Sequence, residues 1–389
     1  MINIAYLSHY DATDVRSWSG TGRAMARCLN EAGFKLSLIG PLKNQIHPVN
    51  VGRYLTHKYL LRQEDHPQRD PGFLRHFARQ AEQKLATIDA DLVFAPGSLP
   101  LSYLRTTLPV VMWTDCTFAN LLDYYPKFSN LSARSVHNGH DAERCALNRC
   151  NRILFASQWA ADSAINDYGI SPDKIRIVPF GSNMPGAQQN DIERLIAQRL
   201  AAIAKKVRLS LVGVDWYRKG VDLAAHAVSI LLNNGLNAEL TVVGCAPPGG
   251  LAPSHVRMAG FIDKSRPEDV AELASLFEGS HFFILPSRAE CYGIVLCEAA
   301  SYGLPSLASE TGGVGSIVVS GITGQTFSHK ASPQVWADYI AALVRDPGRY
   351  AALCRSAYSD FQQRLNWTAS GKLAKQLIEE LLPASAKAA

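Results

Sequence analysis

Two carboxylates, Glu290 and Glu298, stand seven residues apart in the stretch LPSRAECYGIVLCEAASYGLPSLASETGG, Leu285 to Gly313. On a helix a step of eight residues turns to about 80° net and rises about 12 Å. Acids so placed lie on one broad side, too far apart to share a proton. An ionised carboxylate accepts two hydroxyl hydrogens at once, so such a pair suits two different hydroxyl-bearing parts of one long ligand. Gly293, Gly312 and Gly313 leave backbone N–H groups bare beside it, and such groups at a helix N-terminus bind phosphate. The ligand implied carries hydroxyls at both ends and phosphate between them, as a sugar nucleotide does. The same spacing also fits an amphipathic helix with two solvated acids.

The elements that must position these groups read as a strand from His281 to Leu285, a loop from Ser287 to Tyr292 and a helix from Ile294 to Tyr302. Gly303 and Pro305 stop that helix. A second strand, Pro305 to Ala308, leads into Thr311-Gly312-Gly313. Polar groups therefore gather at the C-terminal ends of strands, where open parallel sheets bind ligands. A second site of the same type follows the strand Val207–Val212. There Gly213-Val214-Asp215-Trp216-Tyr217-Arg218-Lys219-Gly220 precedes a helix from Val221. Arg218 and Lys219, adjacent cations beside a helix N-terminus, suit a diphosphate; a solvated turn pair is the alternative.

The chain opens with strand Ile2–Leu7, a polar segment Ser8–Ser19, a helix from about Gly20 to Ala32 and strand Phe34–Ile39. This βαβ unit lacks a dinucleotide fingerprint. Met25 stands where a third glycine belongs, and no acid follows the second strand. A nicotinamide or flavin enzyme is thereby excluded.

Taken in order, Leu285-Pro286-Ser287, Glu290, Glu298-Ala299-Ala300 and Gly303-Leu304-Pro305 resemble the donor-site signature of family 4 retaining glycosyltransferases. The resemblance covers nearly the whole chain, with its specific motifs mainly in Gly213 to Gly313. It implies an α/β fold of the GT-B type: two Rossmann-like domains facing a central cleft, with a C-terminal helix crossing back to the first. The expected domains are 1–181 (acceptor side, plus the crossover helix at about 366–383) and 182–365 (nucleotide-sugar side). Pro179-Phe180-Gly181-Ser182-Asn183 resembles the hinge.

By the same resemblance, Glu298 would hold the ribose hydroxyls and Glu290 the sugar hydroxyls, while Arg218 and Lys219 would stabilise the leaving diphosphate. Gly213 opens the loop that carries those cations. Some members have an arginine next, where this chain has Val214. Gly20, in Trp18-Ser19-Gly20-Thr21-Gly22, looks like the glycine that meets the diphosphate in the first domain. Cys291, Tyr292, Gly293 and Ile294 line the donor loop, and Gly260-Phe261-Ile262 passes the base, with Phe261 and Ile262 the contacts. Members commonly carry His-Asp after the fourth strand; here Thr114 takes the His place and Asp115 is kept. Asp115 would orient an acceptor hydroxyl or stabilise positive charge at the sugar ring.

The expected activity is a metal-independent, retaining transfer of a hexose-type sugar from a nucleotide diphosphate sugar to an acceptor hydroxyl. The acceptor would be a lipid-linked saccharide, a polysaccharide or a small metabolite. No cofactor is implied beyond the nucleotide sugar as co-substrate. Two rivals are a non-catalytic sugar-nucleotide-binding partner subunit and a GT-B sugar-nucleotide epimerase.

Composition bounds the rest. The 389 residues suffice for two domains, and 47% are apolar. The net charge of +5 is mild; with no RNA-binding or zinc-finger motif it excludes nucleic acid. Eight scattered cysteines without Cys-x-x-Cys spacing read as free thiols of a cytoplasmic protein. His137, His140, Asp141 and Glu143 fit no common zinc signature, so no metal is expected. MINIAYLSHYDATD reads as a first strand rather than a signal peptide. No apolar run nears the ~20 residues of a spanning helix. The protein reads as soluble, or at most peripheral on an inner membrane face. Between Arg53 and Lys84 seven Lys/Arg outnumber four Asp/Glu. The helix Phe73–Ile88, apolar at Phe73, Phe77, Ala81 and Leu85, is the candidate for docking on anionic lipid. The segment Pro333–Arg364 reads as helical, and a last helix starts at Leu365-Asn366-Trp367.

Overall fold

The computed structural model describes residues 1–44 and 48–382. The chain forms two compact units, Met1–Pro179 with the chain from Ser370 on, and Phe180–Ala369. Each is built on a six-stranded parallel sheet.

The first sheet holds β1 (Asn3–Leu7), β2 (Lys35–Ile39), β3 (Leu92–Ala95), β4 (Val110–Thr114), β5 (Arg152–Phe155) and β6 (Ile175–Ile177), in the spatial order β2-β1-β3-β4-β5-β6. β3, β4 and β5 are buried along their whole length. Strands covered by helices on both faces are apolar nearly throughout, as Leu-Val-Phe-Ala is and as Val-Val-Met-Trp-Thr is up to its last residue. The core gathers Val93, Met112 and Ile153 with Phe77, Ala146 and Leu147 from the covering helices.

The second sheet holds β7 (Val207–Val212), β8 (Ala238–Val243), β9 (Val256–Met258), β10 (Phe282–Leu285), β11 (Ser306–Glu310) and β12 (Gly324–Ser328), ordered β12-β11-β10-β7-β8-β9. The chain runs outward from β7 to β9, returns to the other side of β7, and runs outward again from β10. The strand order therefore reverses between β7 and β10. Loops leaving these two strands diverge to opposite faces and open a crevice at their C-terminal ends.

Two expectations are corrected, and one helix is added. The segment Pro333–Arg364 is two helices, Pro333–Arg345 and Pro347–Arg364. Asp346 breaks the run by capping the N–H of Arg349, and Pro347 takes the first-turn position, where its missing N–H costs nothing. The helix carrying Phe73 spans Pro71–Leu85, and its apolar face (Leu74, Phe77, Ala78, Ala81) is buried in the core of the first unit. That face is therefore closed to lipid. A helix at Ile192–Ile203 was not foreseen. Its Arg199 is buried and donates to the carbonyls of Phe277, Glu278, Tyr302 and Gly303. One side chain thus closes the ends of two helices whose last carbonyls have no partner of their own.

Candidate functional site

The crevice between β7 and β10 receives the loops 213–220 and 286–293. Lys219 and Arg218 come from the first loop, Glu290 from the second. The Lys219 ammonium pairs directly with Glu290 Oε2, and Arg218 Nη1 lies 3.8 Å from the same oxygen. Lys219 and Glu290 are both buried. Arg218 Nη1 also donates to the Ala289 carbonyl at 3.1 Å. Two cations and one carboxylate therefore meet at a single point with positive charge in excess.

Local chemistry explains the placement. Asp215 accepts the Arg218 N–H at 2.8 Å, which folds the loop back towards the helix Val221–Asn233. A Cβ on Gly213 would stand 2.5 Å from Lys219 Cγ and 3.0 Å from its Cε, so only glycine leaves room for the lysine stem. Gly293 caps the helix Ile294–Ala300 at φ 89°, a left-handed conformation that side chains disfavour. Glu290 thus sits on a loop ahead of that helix. The two acids do not share a helical face, contrary to the spacing argument, and each meets its own lysine.

Arg288 ties the two loops together. Its N–H donates to the Arg218 carbonyl at 2.8 Å. Its guanidinium makes bidentate contact with Asp222 at 2.9 and 2.7 Å and lies 3.8 Å over the Tyr217 ring. Burial works against ionisation of Asp222, but the hydrogen bonds from Arg288 outweigh it and hold the carboxyl below the usual range. Sequence reasoning passed over Arg288 and Asp222. Their signal was an arginine inside one named loop and an acid just after the other.

Glu298 is 0% exposed. Its Oε1 takes the Lys264 ammonium at 2.5 Å, and its Oε2 is buried with no hydrogen-bond partner among the described residues. Lys264 lies on the segment after β9, three residues beyond Phe261, which is 70% exposed. Ile262 is partly buried. Cys291 and Tyr292 are buried. The Tyr292 phenol points inward and donates to the Phe180 carbonyl at 3.0 Å; burial, then the Cys297 thiol, hold its proton on. Ile294 is half-buried.

Gly20 and Asp115 belong to the first unit. Trp18, Ser19 and Gly20 are successively left-handed, at φ 49°, 55° and 81°. Two non-glycine residues in that region mark a strained loop, a common sign of a functional one. The Tyr10 ring packs on Gly22, where a Cβ would fall 2.3 Å from the phenol oxygen. Burial raises the proton affinity of Tyr10, and the Asp115 carboxylate adds to it. The loop, Tyr10 and Asp115 thus share the C-terminal edge of the first sheet. Thr114 is buried with its hydroxyl 3.5 Å from the Cys116 carbonyl. Among the described residues no group of three or more His, Cys, Asp or Glu could hold a metal ion, and no helix is long and apolar enough to cross a membrane.

Comparison with known proteins adds family and fold. Residues 23–183 match the family described as Glycosyltransferase Family 4, and residues 189–346 match Glycosyl transferases group 1. A D-inositol 3-phosphate glycosyltransferase of Corynebacterium diphtheriae is 28% identical over 218 residues, 52% of this chain and 50% of that protein. The chain spans about half the length of the curated relatives it matches. Among solved structures, sucrose-phosphate synthase of Thermosynechococcus elongatus aligns with a TM-score of 0.70 at 17% identity, over 98% of this chain and 99% of that one. HepE of Anabaena, solved with UDP and glucose, aligns with a TM-score of 0.63 at 16% identity, over 97% of this chain and 100% of that one. At such identities the likeness is one of fold.

Proposed function

The chain belongs to the family 4 glycosyltransferases, with their two-domain GT-B fold, and from that premise we propose that it transfers a hexose-type sugar from a nucleotide diphosphate sugar to an acceptor hydroxyl with retention at the anomeric carbon. The observation that carries this reading is the meeting of Arg218 and Lys219 with Glu290 in the crevice where the second sheet reverses. Two cations there suit a diphosphate leaving group, and the carboxylate beside them suits sugar hydroxyls. With donor bound, Lys219 turns from Glu290 to the phosphate, and Glu290 is freed for the sugar. Glu298 takes the ribose hydroxyls, and backbone N–H groups near Gly293 add to phosphate binding.

As the bond from the anomeric carbon to the phosphate oxygen breaks, Arg218 and Lys219 neutralise the charge that develops on that oxygen. The acceptor oxygen attacks from the same face, and its proton passes to the leaving phosphate. No metal enters this scheme. Charge stabilisation of this kind is commonly the largest catalytic contribution, and removing one donor costs ~10²–10³ in rate. The likeness to D-inositol 3-phosphate glycosyltransferases makes a phosphorylated polyol one acceptor to try, beside lipid-linked saccharides and polysaccharides.

Peripheral contact with an anionic membrane is part of the proposal, relocated to the segment Val51–Arg62. There Leu55, Tyr59, Leu60 and Leu61 are exposed beside Lys58 and Arg62.

The test is thermal stabilisation by UDP, GDP, ADP and TDP, each with matched sugars. A ligand that binds only the native state at a hundredfold excess over Kd adds about 2.7 kcal/mol. One nucleotide should stabilise the protein, and Glu298→Gln should abolish the shift. No shift with any nucleotide would overturn the reading.

A further inference from the structure

We propose that Lys264 is a positioning residue of the nucleotide site, holding Glu298 in the orientation that reads ribose. The inference rests on Glu298 as the ribose carboxylate and adds a residue outside the assigned donor contacts.

Glu298 presents an incomplete set of partners. One oxygen is held by Lys264, and the other is buried with no hydrogen-bond partner among the described residues. Leaving a buried acceptor unsatisfied is costly, and more so for a charged group. The bare oxygen is thus an acceptor built for a donor that the folded chain does not supply, and a ribose hydroxyl is such a donor. Lys264 is the accessible member of the pair, its side chain 27% exposed against 0% for Glu298. A ligand therefore approaches from the lysine's side.

Lys264 is itself firmly rooted. Gly244 N–H donates to the Gly260 carbonyl at 2.8 Å, at the start of the segment. Asp263 N–H donates to Asp269 at 2.7 Å, and Arg266 pairs with the same carboxylate at 2.8 Å. Between these anchors stand Phe261, with its ring turned outward, and Lys264, with its ammonium on Glu298. One short segment therefore carries an exposed aromatic face, suited to stacking on a base, and the cation that fixes the ribose carboxylate. Lys264 couples the two halves of nucleoside recognition.

The experiment measures affinity of the full chain for UDP and GDP, each against its 2′,3′-dideoxy analogue. The wild type prefers the ribose form of whichever nucleotide binds. Glu298→Gln removes that preference. Lys264→Met removes it to the same extent, with a loss of about tenfold in affinity for the ribose form and little change for the dideoxy form. Lys264→Arg restores it, and the double variant is no worse than Glu298→Gln alone, because both changes act on one interaction. In Lys264→Met the loss falls on KM for the donor more than on kcat, as a binding role requires. If Lys264→Met weakens both forms equally, or keeps the full preference, the positioning role is wrong while the ribose reading stands. If Glu298→Gln itself keeps the preference, the ribose assignment fails and the role of Lys264 with it.

Discussion

At the scale of single residues, the site depends on what is absent as much as on what is present. Gly213 carries no chemistry, yet a methyl group there would overlap the stem of Lys219 from Cγ to Cε. Since the stem cannot yield at its tip alone, Gly213→Ala should push the ammonium away from Glu290. The expected outcome is a turnover loss of at least tenfold in Gly213→Ala, in the same direction as the ~10²–10³ expected for Lys219→Ala. Melting temperature should fall in both, since each change takes the buried Glu290 from its closest cation, so turnover is read where both variants are folded. Full turnover in Gly213→Ala beside a dead Lys219→Ala would show that the stem is not confined. Arg218, Lys219 and Glu290 could be named as candidates from the sequence because each stands on the loop that follows a recognisable strand. Lys264 was not, because only the folded chain brings it to Glu298, 34 residues on.

At the scale of elements, periodicity revealed the strands and most helices but not which apolar face stays in water. The helix Pro71–Leu85 has a well-formed apolar stripe, and burial in the core is the ordinary fate of such a stripe. The segment Val51–Arg62 has a less regular pattern, ending in a π-helical turn at Thr56–Leu61, and there the apolar side chains remain outside. Arg53 anchors it through Asp65 at 3.0 Å and Asp70 at 2.5 Å, both acids buried. The rooted end fixes the segment while Leu60, 78% exposed, stands clear. The helix Ile192–Ile203 escaped notice because it follows directly on a Pro-, Gly- and Gln-rich stretch that reads as linker. Docking on anionic lipid predicts co-sedimentation with phosphatidylglycerol vesicles and none with phosphatidylcholine. Each basic residue near such a surface contributes about 1 kcal/mol, so Lys58→Gln with Arg62→Gln should weaken binding by roughly thirtyfold. Leu60→Ser with Leu61→Ser should abolish it at unchanged melting temperature. Equal binding to both lipids, or to neither, would end the docking assignment.

At the scale of the whole molecule, buried histidines set how stability answers to pH. His9, His66 and His140 in the first unit and His281 in the second are all shifted towards the neutral ring, by burial first. For His281 the geometry says why. Its Nδ1 accepts the Arg208 N–H at 2.8 Å, so the proton sits on Nε2, 3.2 Å from the Arg199 carbonyl. A second proton would have to displace the β7 amide from Nδ1. Burial, then the nearby Arg208 charge, push this histidine down to about 4 from its ordinary 6.5. The sign follows directly. Between those values the unfolded chain binds the proton and the folded chain does not, so stability is full above pH 6.5 and falls as pH drops towards 4. From pH 7 to pH 5 the loss from His281 alone comes to about 2 kcal/mol. Carboxylates held below their usual range, such as Asp222, add their losses only at lower pH, which separates the two contributions. Asparagine keeps a donor and an acceptor at this position without titrating. In His281→Asn the pH 7 to pH 5 loss should therefore shrink by about 2 kcal/mol, read by urea unfolding and by exchange of the β7 amides. An equal loss in variant and wild type would place the pH response elsewhere, in the histidines of the first unit.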